Sequence, residues 1–240
     1  MPITMMPQSP PQVPYQPPGT DGYQFIDIYQ RLYLDRILLV GQYINAEVAN
    51  QIVSILLYLR REDATKGITF YFQFPGCDLR PGMAIYDTVQ DLKDGGMEIT
   101  TLNLGLASGI GAMLCGAGTP GRRFAMPNAR FLLYRTGLER GFRGQATDIG
   151  LEVKSVADQN DGIEGELARI TGQSVGRVRT DLRRGFYLDG GEAVEYGLVD
   201  KVLMPDKGDG GEEEEVVDTW TGEKRGGKVG GGDGGDGVAC

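Results

Sequence analysis

The chain has 240 residues and a net charge of −9, with 40% hydrophobic residues, 38 glycines and no histidine. The missing imidazole excludes Ser-His and Cys-His catalysis, histidine-ligated metal and a histidine general base at once. The acidic balance argues against nucleic acid as a partner, and no run of about 18 apolar residues is present to span a membrane.

Residues 1–22 carry seven of the twelve prolines and are expected to be extended, polyproline-like or mobile. The opening MPITMMPQSPPQVPYQPPG shows neither a secretory nor a transit pattern, so either nothing is targeted or a targeting peptide has been removed. RILLVG (36–41) reads as a buried strand. Asn45 reads as a cap, and Ile52, Ile55, Leu56 and Leu59 recur at i, i+3, i+4, i+7, predicting an amphipathic helix over 46–60. ITFYFQF (68–74) predicts a second strand, and PGMAIYDTVQDLK (81–93) a helix with proline at its start. MEITTLNLG (97–105) predicts a third strand and SGIGAMLCGAG (108–118) a small-residue helix, with two strand pieces to follow within 122–134. Strand–helix repeats of this kind imply right-handed crossovers and a largely parallel sheet, an α/β fold. Residues 146–170 then form a long helix of mixed polarity that belongs to no repeat, either protruding or lying flat on the sheet. A shorter helix within 172–185 and a helix and strand within 190–203 close the body. Residues 205–240 hold twelve glycines, ten acidic and four basic residues, and so supply −6 of the net charge. That tail, Glu212 to Glu215 included, cannot bury a core and is expected to be disordered. The domains expected are thus a proline-rich segment 1–22, a globular body 23–204 and a tail 205–240.

The chemistry of the body turns on NLGLASGIGAML, residues 103–114. A small-residue turn presents Ser108 and then enters an apolar helix, a common way to display a nucleophile. A neutral serine is a poor nucleophile without a base. Lys93 ends a helix on the far side of a strand and Lys154 lies on the long helix, so neither reaches it. Ser108 is therefore read as a helix cap, its oxygen accepting from backbone amides. The glycines of GLASGIG lack the Lys-Ser/Thr ending of a phosphate loop and the full dinucleotide fingerprint. Cys77, Cys115 and Cys240 form neither a paired framework nor a zinc spacing, which suits a reducing compartment. No cation near Cys77 is visible in the motif to activate its thiol. No metal or cofactor site emerges.

Several segments, in this order and spacing, resemble the ClpP family, the proteolytic subunit of the Clp protease. They are FIDIYQRLYLDRILLVGQ (25–42), PG (75–76) with GMAIYDT (82–88), and GAMLCGAGTPGRRFAMPNAR (111–130). GQATDI (144–149), TGQS (171–174) and EAVEYGLVDKVL (192–203) complete the series. The resemblance covers about Tyr23 to Leu203. It implies a ClpP/crotonase-like fold in which heptameric rings stack through a protruding handle helix, here within 146–170. Family members are Ser-His-Asp peptidases, and motif counting places Gly109 at the serine position, Tyr134 at the histidine and Gly185 at the aspartate. Ser108 falls one residue early. A phenol does not take a proton from serine as imidazole does, so Tyr134 is expected to fill the vacated site. Gly109 is expected to serve plain packing of helix on strand. The pattern is similar to ClpR, the catalytically inactive branch beside ClpP in plastids and cyanobacteria.

The resemblance further assigns the oxyanion-hole amides to Cys77 and Ile110, where Cys77 disturbs the turn if that position needs positive φ. A chaperone-docking pocket would take Tyr71, Leu102 and Leu104, made more polar by Thr69 and Asp91. Expected partners are ClpP and other ClpR subunits in a two-ring core and a Clp/Hsp100 AAA+ chaperone. The expected location is the plastid stroma, favoured by the long terminal extensions, or the cyanobacterial cytoplasm. Two rival readings remain: an active peptidase using Ser108 with a non-histidine base, and an acyl-CoA enzyme of the wider crotonase superfamily.

Overall fold

Side chains of Ile68–Phe74 alternate strictly between a buried and a more open face, and this alternation lays out the layers of the molecule. The computed structural model describes residues 10–17, 19, 22–137 and 143–204. The expected tail 205–240 lies outside the described residues. Among those described, the strands are β1 Gln12–Tyr15, β2 Gln24–Asp27, β3 Ile37–Val40, β4 Ile68–Phe74, β5 Ile99–Ser108, β6 Arg123–Ala125, β7 Arg130–Leu133, β8 Phe186–Asp189 and β9 Lys201–Val202. The helices are α1 Ile28–Leu34, α2 Ala46–Glu62, α3 Leu79–Asp94, α4 Ile110–Gly116, α5 Ala146–Thr171, α6 Val175–Asp181 and α7 Gly190–Tyr196. The result is the α/β architecture of the ClpP fold.

The main sheet runs β3-β4-β5-β6-β9, all parallel, and forks at β5. The first part of β5 pairs with β6 at Thr101–Asn103, and its last three residues pair with β7 at Leu106–Ser108. Asn103, fully buried at the fork, donates from Nδ2 to the Arg130 carbonyl (3.1 Å) and accepts from Gly105 N (3.2 Å). A buried amide bonded on both sides fixes the split where an unpaired one would cost stability. Strand β8 adds antiparallel to β7, with Leu133 opposite Phe186.

The inward residues Leu38, Val40, Phe70, Phe72 and Phe74 share one core with Leu56 of α2, Ile85 and Val89 of α3 and Met113 of α4. Asn45 caps α2, accepting from Val48 N at 3.0 Å, as its type and position predict. Helix α3 begins at Leu79, earlier than expected, so Pro81 stands third in the helix, still within the turn whose amides lack intrahelical partners. Helix α4 is shorter than expected and β5 ends three residues later, because Leu106–Ser108 continue the ladder to β7. Within the proline-rich segment, residues 12–15 are extended, in keeping with their composition. Pro14 lies inside β1, and β1 pairs antiparallel with β2.

Helix α5 divides in two. Residues 146–159 bury no side chain, leaving Leu151 and Val153 more than half exposed. Asn160, Ile163, Glu164, Leu167 and Ala168 bury its second half. The buried half packs beside α6 and α4, while the first half is mostly exposed and meets α3 where Glu152 accepts from Arg80 at 3.3 Å.

Candidate functional site: the turn between β5 and α4

Strand β5 delivers its last residue, Ser108, to the C-terminal edge of the sheet, where α/β folds collect their sites. Ser108 is only 2% exposed, and its Oγ donates to the Pro75 carbonyl. This corrects the expectation that Ser108 caps the helix. The cap position belongs to Gly109, which has no side chain to offer α4. Gly109 adopts φ 57°, ψ −121°, a conformation that strains any residue with a Cβ. Its N–H donates to the Leu132 carbonyl at 2.7 Å, locking the turn onto β7. Packing alone, the expectation for Gly109, is thus only part of its role: the positive φ also favours glycine, since a residue with a Cβ is strained there.

Sheet register brings the three family positions together. Leu133 of β7 lies opposite Phe186 of β8, so the next pair along is Tyr134 and Gly185. A Cβ placed on Gly109 would lie 3.0 Å from Tyr134 Cζ and 3.1 Å from its Oη. A Cβ on Gly185 would lie 3.2 Å from Tyr134 Cβ. Two glycines and one phenol meet at this point. Lys93 is spoken for elsewhere, donating from Nζ to the carbonyls of Ala117 (2.8 Å) and Gly118 (3.1 Å) at the opposite end of α4. Lys154 belongs to the half of α5 that buries nothing.

The oxyanion-hole positions remain as backbone. Ile44 bridges to Cys77 in parallel fashion, donating to the Gly76 carbonyl (3.2 Å) and accepting from Asp78 N (2.9 Å). Among the described non-glycine residues only Arg36 has positive φ, so Cys77 sits in the turn without the disturbance considered above. Its Sγ donates to the Asp78 carbonyl at 3.1 Å, and the thiol is buried against Gly82. Ile110 opens α4 beside it, 2% exposed. Cys115 lies in the core, where burial pushes its thiol well above the usual range. Among the described residues no group of three His, Cys, Asp or Glu could hold a metal ion.

A second layer holds the Tyr134 segment, and sequence reading missed it. Asn160 accepts from Thr136 N (3.0 Å) and donates to the Thr136 carbonyl (2.8 Å). Glu164, with no exposed surface, accepts from Arg179 Nε at 2.7 Å through one oxygen, while Arg135 Nε stands 3.1 Å from the other as an ion pair without hydrogen-bond geometry. The available signal was polar residues at the apolar spacing of α5, since Asn160, Glu164 and Leu167 share one helical face.

The docking-pocket residues separate within the chain. Thr69, Tyr71, Leu102 and Leu104 alternate onto one face of β4 and β5, where Leu102 is buried and the other three are half-buried, with Thr69 beside Thr100 and Tyr71 beside Leu102. Asp91 lies on α3, which covers the opposite face, and pairs there with Arg60 of α2. The structure therefore does not join Asp91 to the other four in one protomer.

The Clp protease family model matches residues 20–206. The chain is 39% identical over 198 residues to ATP-dependent Clp protease proteolytic subunit 3 of Synechococcus sp. (strain CC9902), covering 82% of this chain and 97% of that one. It is equally similar, over the same shares, to proteolytic subunit 2 of Prochlorococcus marinus (strain MIT 9313). Proteolytic subunit 1 of Gloeobacter violaceus (strain ATCC 29082 / PCC 7421) is 38% identical over 199 residues, 83% of this chain and 98% of the relative. A matching family model over most of the chain, and relatives matched along nearly their whole length, show that the chain belongs to the Clp protease family.

Proposed function

We propose that the chain is a non-catalytic, ClpR-like subunit of a Clp-type proteolytic core, contributing wall and protruding-helix contacts while neighbouring subunits hydrolyse peptide. One observation carries the reading: Gly109, Tyr134 and Gly185, the positions that the family fills with Ser, His and Asp, meet around one tyrosine side chain, Gly109 at its ring and Gly185 at its Cβ, with no imidazole or carboxylate among them. Acyl transfer needs a nucleophile, a base within hydrogen-bond reach and a group to orient the base. The turn offers a serine whose proton is already given to a carbonyl. The exposed first half of α5 supports an assembly role, since ring stacking requires a surface beyond the globular body.

In this reading the partners are catalytic and non-catalytic sister subunits and an AAA+ chaperone, and the compartment is the plastid stroma or the cyanobacterial cytoplasm. The cyanobacterial origin of the relatives named above supports that lineage. The test is fluorophosphonate labelling and peptide hydrolysis on the purified full chain. Neither Ser108 modification nor turnover is expected, and a phosphonyl adduct mapped to Ser108 together with peptide turnover would establish the rival peptidase with a non-histidine base.

A further inference from the structure

We infer that Tyr43 and Tyr134 form an aromatic lock on this turn, in which the two rings occupy the space that side chains on Gly76 and Gly109 would need and the Tyr134 Cβ crowds Gly185. The inference deepens the non-catalytic reading and rests on its assignment of the turn, yet it concerns packing and is read by a different measurement.

Tyr134 enters from the β7 side. Its ring carbons and hydroxyl stand 3.0–3.2 Å from a Cβ on Gly109, and its own Cβ stands 3.2 Å from a Cβ on Gly185. Contacts that short force the neighbour to move, because dispersion turns to repulsion well before that distance. Tyr43 enters from the connection between β3 and α2. Its Cε2 lies 3.0 Å from a Cβ on Gly76, a point that Ser108 Oγ approaches to 3.7 Å. The Tyr43 hydroxyl donates to Asp78 Oδ1 at 2.7 Å, which holds the ring over the turn. Asp78 is the N-cap residue of α3 but makes no side-chain cap bond, so its carboxylate serves the tyrosine instead.

Each ring keeps one side in solvent, Tyr43 at 49% and Tyr134 at 37% exposure. The lock is therefore a surface plug that can swing outward, and it differs from a core contact, which cannot move without unfolding. Its consequence is an order of events. A serine at position 109 adds a Cβ and a hydroxyl where the Tyr134 ring stands, and an aspartate at 185 meets the same side chain. A side chain at 109 is accommodated only as the ring gives way by a few tenths of an ångström. Glycine and tyrosine at these positions are one packing unit, and their substitutions are coupled.

The test is a double-mutant cycle on the full chain, reading the urea midpoint of wild type, Gly109→Ser, Tyr134→Ala and the double variant. Gly109→Ser is expected to lower the midpoint in both backgrounds, because the positive φ strains any Cβ, and to lower it less once Tyr134 is alanine. Equal drops in both backgrounds overturn the lock. If Gly109→Ser alone fails to fold, a folded double variant supports the lock and an unfolded one counts against it. The milder Gly109→Ala supplies a second readout: nitration of Tyr134 by tetranitromethane, mapped by mass spectrometry, is expected to rise several-fold as the ring is displaced outward. Unchanged nitration overturns the lock. Peptide turnover by the wild-type chain would strike the non-catalytic reading and leave the coupling intact, so the two failures are distinguishable.

Discussion

The two ends of α4 are built on opposite terms. At its C-terminal end the backbone is completed by polar side chains: Lys93 on the Ala117 and Gly118 carbonyls, and Thr101 Oγ1 on the Cys115 carbonyl at 2.6 Å. Just beyond, Asp200 accepts from the amides of Gly121 (2.7 Å) and Arg123 (3.0 Å), while Arg123 also donates to the carbonyls of Ile170 and Gly197. At the N-terminal end there is no side-chain cap, a glycine carries the turn, and two aromatic rings fill the space around it. The same short helix therefore has a polar foundation at one end and a carbon-packed seal at the other. At the C-terminal end the polar side chains bond to the backbone of α4 and the loop after it, whereas at the end where the family keeps its chemistry the buried hydroxyl of Ser108 turns away to the Pro75 carbonyl and leaves α4 uncapped.

The largest break in that contrast should come from Arg123. Its side chain is 12% exposed and reaches Asp200 Oδ1 at 2.5 Å. Arg123→Met leaves a mostly buried carboxylate with two amides only, at a cost of about 3 kcal/mol. Burial pushes the Asp200 carboxyl up, but the bonds and charge of Arg123 and the Gly121 amide outweigh it and hold the group below its usual value. A folded pKa below the unfolded one contributes stability that is present above about pH 4 and lost as pH falls through the folded value. Urea unfolding at pH 7 and pH 3 should therefore show a smaller acid loss in the variant than in wild type. An acid loss as large as that of wild type would remove Arg123 as the cause.

Lys93 is the next test. Lys93→Met withdraws two donors from the end of α4 and should cost about 1–2 kcal/mol at neutral pH. Burial lowers the lysine from its usual value, and the charges of Arg169 and Arg123 lower it further. The unfolded chain then holds the proton longer, so this group's contribution rises with pH up to about 10.5. The alkaline slope of stability should flatten in the variant, measured by urea midpoints between pH 8 and pH 10.

How far sequence reading reaches depends on whether the cause is local. Strand β4 is where alternation places it, from Ile68 to Phe74, and Asn45 caps α2 because capping needs only the next few residues. Helix α1 escaped notice because seven residues give too little periodicity, and β8 because four residues between glycines do not announce an antiparallel edge. The fork at β5 was invisible for another reason: Leu106–Ser108 look like a turn until β7, more than twenty residues later, supplies a partner. Motif spacing marked Gly109, Tyr134 and Gly185, yet their meeting at one ring follows from register between strands far apart in sequence. Asn160 and Glu164 were missed on the same account. Their partners are Thr136, Arg135 and Arg179, and a polar residue whose partners are unknown reads as surface.

Ser108 shows the error most directly, and it carries the smallest of the predicted effects. A serine before a helix is a cap by local rule, but here the strand claims the residue and the hydroxyl turns to Pro75, 33 residues earlier in the chain. Ser108→Ala removes one buried hydrogen bond and leaves the Pro75 carbonyl without that donor, for a loss of about 1 kcal/mol. A capping serine and a latching serine cost similar amounts when removed, so stability alone does not separate them. Hydrogen exchange does. Loss of a cap would speed exchange at the first amides of α4, whereas loss of the latch should loosen the Pro75–Asp78 turn and leave α4 protected, because Gly109 rather than Ser108 holds the cap position. Faster exchange confined to α4 would return Ser108 to the helix.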